Sequence, residues 1–271
     1  MNTFTIDTQT MHYVDIGEGP VLVLGHSYLW DNEMWAPQLE VLSLYYRCIV
    51  PDLWSHGRSD GAPQKTQNLQ DYARDVLSLL DHLQIDSFSI IGLSVGGMWG
   101  AELALIAPER TKSLVLMDTF IGFEPEVMHA KYFAMLDTIA QVQHVPEPMI
   151  DVITPMFFAR NAEQANPALV AKFREHLSSI KGQQAVDVTN IGRMVFGRRD
   201  TFDDVEQLTL PTLVVVGVQD MPRPPLEAQL MHDAIDGSQF FVVQNAGHIC
   251  NLEQPAVVTE KLLSFMNDVH A

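Results

Sequence analysis

Residues 88–107 read FSIIGLSVGGMWGAELALIA, and this stretch organises the chain. Phe88, Ser89, Ile90 and Ile91 form a short apolar, β-leaning run. The small residues Gly92-Leu93-Ser94-Val95-Gly96-Gly97 follow at once, and then a helical stretch to Ala107, closed by Pro108. A serine between a buried strand and a helix, with glycine two residues before and two after, is a G-x-S-x-G turn. So tight a turn holds the serine in a strained backbone conformation, and side chains at 92 and 96 would collide with neighbouring elements. The strain points the Ser94 hydroxyl off the sheet edge, and the helix beside it presents free N–H groups and the positive end of its dipole. The five-residue pattern alone is common. Its weight comes from the strand before it, the helix after it and the partners downstream.

The chain has 271 residues, enough for one large domain or a domain carrying an insertion. A formal charge of −18 argues against nucleic acid or an anionic membrane as partner and mildly repels anionic substrates. The first residues, MNTFTIDTQTMHYVDIG, hold no basic run and no apolar core of a secretory signal. The apolar runs, such as LVVVGV at 213–218, are strand-sized and far short of a membrane span. Cys48 and Cys250 are too few for a disulfide framework and fit a reducing compartment. A cytoplasmic location is the expectation.

Taken in order, residues 3–7 and 11–16 suggest a hairpin, and VLVLG at 21–25 a central strand covered on both faces. Residues 32–46 are helical in pattern after the early Pro37, and a strand is expected at 47–51 (RCIVP), an amphipathic helix over 68–85 and a strand at 113–118 (SLVLMD). From Thr119 to Gln207 no strand is visible. That segment is helical in pattern and rich in Met and Phe: Phe120, Phe123, Met128, Phe133, Met135, Met156, Phe157, Phe158, Phe173, Met194 and Phe196. Alternation resumes with TLVVVG (212–217), a helix over 225–235, QFFVVQ (239–244) and a helix over 255–269. The pattern predicts an α/β fold, a mostly parallel central sheet flanked by helices, in which residues 1–118 and 208–271 form the core and 119–207 a helical cap. Most of the Met and Phe are expected to pack the cap's own interior, and some to line an apolar pocket at the strands' C-terminal edge.

A serine hydroxyl is a poor nucleophile at neutral pH, so Ser94 needs a base, and the base an orienting acid. TLVVVG runs into Val218-Gln219-Asp220, and QFFVVQ into Asn245-Ala246-Gly247-His248. Parallel strands present their C-terminal ends on one face, where Ser94, Asp220 and His248 can converge in the order Ser, Asp, His. Asp118, also at a strand end, is the rival acid. The two oxyanion donors expected are the backbone N–H groups of Val95 and of Tyr28, in the loop after VLVLG. His26 is read as orienting that loop, His56 and Arg58 as bracing the loop after Asp52, and Cys250 as a small buried filler. There is no phosphate-binding loop, no G-x-G-x-x-G, no H-E-x-x-H and no paired Cys-x-x-Cys, so neither cofactor nor metal is expected.

GHSYLW at 25–30, DLWSHGRSD at 52–60, GLSVGG at 92–97, VVVGVQDMPRPP at 214–225 and NAGHICNLEQP at 245–255 together resemble the α/β-hydrolase superfamily over nearly the whole chain. The resemblance implies Ser94 as nucleophile, Asp220 as acid, His248 as base, and Tyr28 with Val95 as oxyanion donors, with Glu253 in a structural role. Within the superfamily the chain is similar to bacterial carboxylesterases, 3-oxoadipate enol-lactonases and cofactor-free perhydrolases. Perhydrolases often carry proline where this chain has Leu29, and Ser27 and Ser55 stand where the family usually has glycine. The activity implied is hydrolysis of carboxylic esters of small to medium, apolar acyl or aryl substrates through an acyl-enzyme. Lactone or C–C bond hydrolysis by the same residues is the alternative, and a non-catalytic small-molecule binder the competing class.

Overall fold

Strands that are apolar on both faces must be covered on both faces, and these runs occupy the centre of the sheet. The computed structural model describes residues 2–206 and 208–271; Gln207, the expected last residue of the cap, lies outside the described residues. The first half runs β1 (Asn2–Ile6), β2 (Gln9–Ile16), β3 (Val21–Gly25), α1 (Ala36–Leu42), β4 (Arg47–Pro51), α2 (Leu69–His82), β5 (Phe88–Leu93), α3 (Val95–Ile106) and β6 (Thr111–Met117). The chain closes with β7 (Thr212–Gly217), α10 (Pro225–Ala234), β8 (Gln239–Val243), α11 (Cys250–Glu253) and α12 (Pro255–Val269). Between the halves lie α4 (Glu126–Val142), α5 (Glu147–Phe157), α6 (Ala162–Ala165), α7 (Pro167–Ser179), α8 (Gln183–Phe196) and α9 (Phe202–Val205), with no strand among the described residues.

The eight strands lie in the order β1-β2-β4-β3-β5-β6-β7-β8. β1, β2 and β4 pair antiparallel, and every pair from β4 to β8 is parallel. The chain steps outward from β3 to β4 and then returns across β3 to β5, so strand order reverses there. In open α/β sheets the crevice beyond the strands' C-terminal ends at such a reversal is where ligands bind.

The expected helix at 32–46 divides in two. Asn32–Trp35 forms a 3-10 turn capped by Asp31, whose carboxylate accepts from the Glu33 N–H at 2.9 Å, and α1 restarts with Pro37 in its first turn. Proline has no N–H to lose there, which explains the restart. α2 begins one residue after its cap, Asn68, whose side chain accepts from the Asp71 N–H at 2.9 Å. α3 is apolar nearly all round, consistent with its burial between the sheet and α2.

Three glycines fix how β5 meets α3. A Cβ at Gly92 would strike the Gly96 carbonyl, and one at Gly96 would strike the Gly25 carbonyl on the neighbouring strand. Gly25 and Gly92 are register partners in β3 and β5, so the two strands and α3 touch backbone to backbone at this point. Replacement of Gly96 by alanine is expected to destabilise the fold by about 3 kcal/mol or more. In thermal unfolding this lowers the melting temperature by roughly 6–12 °C; an unchanged melting temperature would contradict the steric account.

Candidate active site

Ser94 sits at the corner between β5 and α3 with φ 57° and ψ −120°, a left-handed conformation that a non-glycine residue holds only under constraint. The surroundings supply it. The Ser94 N–H donates to Met117 O at 2.8 Å, and the Thr119 hydroxyl donates to Ser94 O at 2.6 Å. The hydroxyl is thereby turned out beyond the strand end, 2.9 Å from His248 Nε2. His248 Nδ1 lies 3.0 Å from Asp220 Oδ2, and the other Asp220 oxygen accepts from the Arg223 N–H at 2.9 Å. A carboxylate only accepts, so Nδ1 carries the imidazole proton and Nε2 is free to accept from Ser94. Burial pushes His248 down to about 4, the direction that keeps the ring neutral. The ring of Phe157 stands edge-on to the imidazole at 5.4 Å and contributes to that apolar setting.

Asp118 lies in the same cluster without touching the imidazole. Just beyond β6 and at φ 44°, its carboxyl accepts from Gly217 N at 2.7 Å and from Cys250 N at 3.4 Å. It thus braces the loops that carry Asp220 and His248. Burial raises both carboxyls well above the carboxylate range, and Asp118 also feels the repulsion of Asp220. Asp118 has the Gly217 and Cys250 N–H groups to offset burial, whereas Asp220 has the Arg223 N–H, the Arg223 guanidinium and a hydrogen bond with Asp118, so the negative charge belongs on Asp220.

The loop after β3 brings Tyr28 and Leu29 to the same cavity as Ser94. His26 Nδ1–H donates to Ser27 O at 2.8 Å, and its Nε2 accepts from Leu53 N at 2.8 Å, which ties this loop to the one after β4. Leu29 has φ 66°, a value closed to proline, so the perhydrolase-like residue does not fit this loop conformation. Ser27 is absent from the positive-φ positions, and its backbone N–H contacts Met34 Sδ at 3.2 Å, so nothing there requires glycine. Ser55 does take φ 65°, the region glycine prefers. His56 is buried with Nδ1 2.9 Å from Trp54 O, and the Arg58 N–H donates to Asp52 Oδ2 at 3.2 Å; neither side chain lines the cavity. Val95 opens α3, and the first N–H groups of a helix have no intrahelical acceptor. Glu253 accepts from Gly247 N at 2.6 Å and from Ala159 N at 2.9 Å, which fastens the His248 loop to the segment that follows α5. Both cysteines are buried free thiols, and burial pushes both up, Cys48 to about 12.

The cavity, partly open to solvent, lies between the strand ends and the helices inserted after β6. Met135, Met156, Phe157 and Phe196 line it, whereas Phe158 and Phe173 pack with Trp30 outside it and Phe123 is exposed. Residue type alone does not separate these groups, because a helix turns its face to core or cavity according to its packing. Sequence reasoning passed over a buried charge network at the cavity's rim. Arg223 Nη2 is held by both oxygens of Glu124, Arg198 Nη1 donates to Glu124 at 2.8 Å, and Arg223 Nη1 reaches Glu227 at 3.3 Å. Both arginines and Glu124 are almost wholly buried. Burial weakens the charge of Arg198, which falls to about 10; in Arg223 burial acts the same way but Glu124 and Glu227 outweigh it. Arg223 stands three residues after Asp220 in VQDMPRPP, and that closeness to a candidate acid was the available signal.

Among the described residues, no group of three or more His, Cys, Asp or Glu side chains converges as a metal site, and no helix is long and apolar enough to cross a membrane. Residues 20–255 match the family model of the alpha/beta hydrolase fold. The chain is similar to 3-oxoadipate enol-lactonase 2 of Acinetobacter baylyi, 25% identical over 94% of this chain and 92% of that protein. Its structure resembles a thermophilic esterase from Thermogutta terrifontis (TM-score 0.88, 27% identity, 99% and 97% of the two chains). It also resembles the enol-lactonase from Burkholderia xenovorans LB400 (TM-score 0.87, 25% identity, 98% and 100%).

Removing the charge from Glu124 leaves the buried Arg198 guanidinium without a counter-ion and Arg223 with Glu227 alone. Glu124→Gln is expected to cost about 3 kcal/mol of stability. Asp137→Asn, which breaks the exposed pair with Arg193, should leave the melting temperature nearly unchanged. Equal effects of the two substitutions would show that burial of the network does not set its energetics.

Proposed function

The chain belongs to the alpha/beta hydrolase fold family, and from that membership we propose that it is a serine hydrolase of carboxylic esters, with Ser94 as nucleophile, His248 as general base and Asp220 as the acid that holds the imidazole. The observation that carries this reading is the continuous run of hydrogen bonds from Asp220 through His248 to Ser94, buried at the floor of an apolar cavity.

The chemistry follows from the geometry. The Ser94 oxygen attacks the ester carbonyl while its proton passes to His248 Nε2, and the imidazolium that forms is balanced by Asp220. The oxyanion of the tetrahedral species is taken by the N–H groups of Val95 and Tyr28. Collapse breaks the bond to the alcohol oxygen, which leaves with the proton from His248, and an acyl-Ser94 remains. Water, deprotonated by His248, then releases the acid and restores the serine. Residues 119–207 act as a cap that closes the cavity. The apolar lining favours small to medium acyl or aryl groups over charged ones. A lactone is the second substrate class, favoured by the enol-lactonases among the relatives, and there the leaving oxygen stays tethered to the acyl group.

Against a p-nitrophenyl ester series from acetate to dodecanoate, Ser94→Ala is expected to lower kcat by about 10⁴-fold or more. Its melting temperature should match the wild type, and near wild-type turnover would sink the mechanism. The working base is neutral His248, so kcat/KM is highest above its pKa and falls as pH drops through it. With the imidazole pushed down to about 4, kcat/KM should stay level from neutral pH to about 5 and decline below. An acid limb centred near 6.5, the ordinary imidazole value, would show that burial does not hold the ring neutral.

A further inference from the structure

The cavity beside Ser94 is apolar over most of its wall, but Tyr132 on α4 and Arg223 after β7 both line it. The Tyr132 ring is fixed: it stacks on Phe196 at 4.3 Å, and Phe196 stands edge-on to Tyr28 at 5.7 Å. Tyr132 is only 5% exposed, and its hydroxyl has no hydrogen-bond partner in the protein. Other buried polar atoms also lack partners, yet Tyr132 is the one such residue that lines this cavity among the described residues. A buried hydroxyl without an acceptor is unfavourable, and phenylalanine would fill the same stack without it. By contrast, the hydroxyls of Tyr28 and Thr189, also in the lining, are bonded to the Val188 and Val186 carbonyls, at 2.9 and 2.7 Å.

We infer that Tyr132 is the hydrogen-bond donor of an acceptor subsite, and that the substrate carries, besides its scissile carbonyl, a second neutral oxygen such as a ketone or a further ester carbonyl. This deepens the hydrolase reading and rests on it. The donor is durable, because burial holds the phenol up at about 12 and keeps its proton at working pH. The charges facing Tyr132 select a neutral acceptor over a carboxylate. Arg223 attracts anions, but Glu124 and Glu227 already occupy its guanidinium, and Asp220 adds a further negative charge nearby. A substrate carboxylate would enter a cluster whose cations are matched. A carbonyl oxygen gains the Tyr132 bond without that repulsion.

The test is binding to the Ser94→Ala protein, where turnover does not interfere. The p-nitrophenyl esters of 4-oxopentanoate, 4-methylpentanoate and succinate (as the half-acid) have nearly the same shape and differ in the group offered to Tyr132. The ketone ester is expected to bind about tenfold more tightly than its methyl isostere. Adding Tyr132→Phe should abolish that preference and leave binding of the isostere unchanged. Tyr132→Phe alone should melt at the wild-type temperature or above, since it removes an unpaired group. Equal binding of ketone and isostere, a preference that survives Tyr132→Phe, tighter binding of the half-acid, or a lowered melting temperature would each overturn the subsite. Wild-type turnover is read separately. A ketone preference in Ser94→Ala with no hydrolysis of any ester by the wild type defeats the hydrolase reading and supports the subsite; hydrolysis without the preference defeats the subsite alone.

Discussion

Backbone meeting backbone at Gly25, Gly92 and Gly96 is the constraint on which the rest of this structure depends. Two adjacent parallel strands and the first turn of α3 approach so closely there that no side chain fits between them. The closeness forces the chain through a left-handed residue, and that residue is Ser94. A looser junction would let the corner relax to ordinary dihedral angles and swing the hydroxyl away from His248. The strain is held by bonds from both sides, the Ser94 N–H to Met117 and the Thr119 hydroxyl to the Ser94 carbonyl. Packing energy gathered along the whole sheet is thus used to keep one unfavourable conformation populated.

Much of this architecture is legible in the sequence, because its causes are local. Runs such as VLVLG, RCIVP and TLVVVG have no polar alternation and demand cover on both faces, which is enough to place them inside a parallel sheet. Asp220 and His248 are found by position, each a few residues past a strand end, and the structure brings Asp220 within hydrogen-bond reach of His248 and His248 within reach of Ser94. Between two candidate acids the sequence offers only position. What separates them is the direction of a side chain: Asp118 turns to the Gly217 and Cys250 N–H groups and Asp220 to the imidazole.

What is not legible is whatever depends on how separate elements face each other. The inserted helices show their apolar content in the sequence, yet nothing in composition assigns Phe157 to the cavity and Phe173 to the cluster around Trp30. The Glu124–Arg198–Arg223 network joins residues 74 and 99 positions apart, and each reads alone as an ordinary surface charge. Tyr132 is hidden for the same reason. Its ring fits any helix core, and only the cavity around it gives its hydroxyl meaning.

The Glu253 carboxylate holds two backbone groups, Gly247 next to His248 and Ala159 two residues beyond α5. One side chain therefore belongs both to the imidazole loop and to the helices that roof the cavity. The segment that follows α5 and the loop that carries His248 are therefore tied to one carboxylate, so that a displacement of either strains the bond that holds the other.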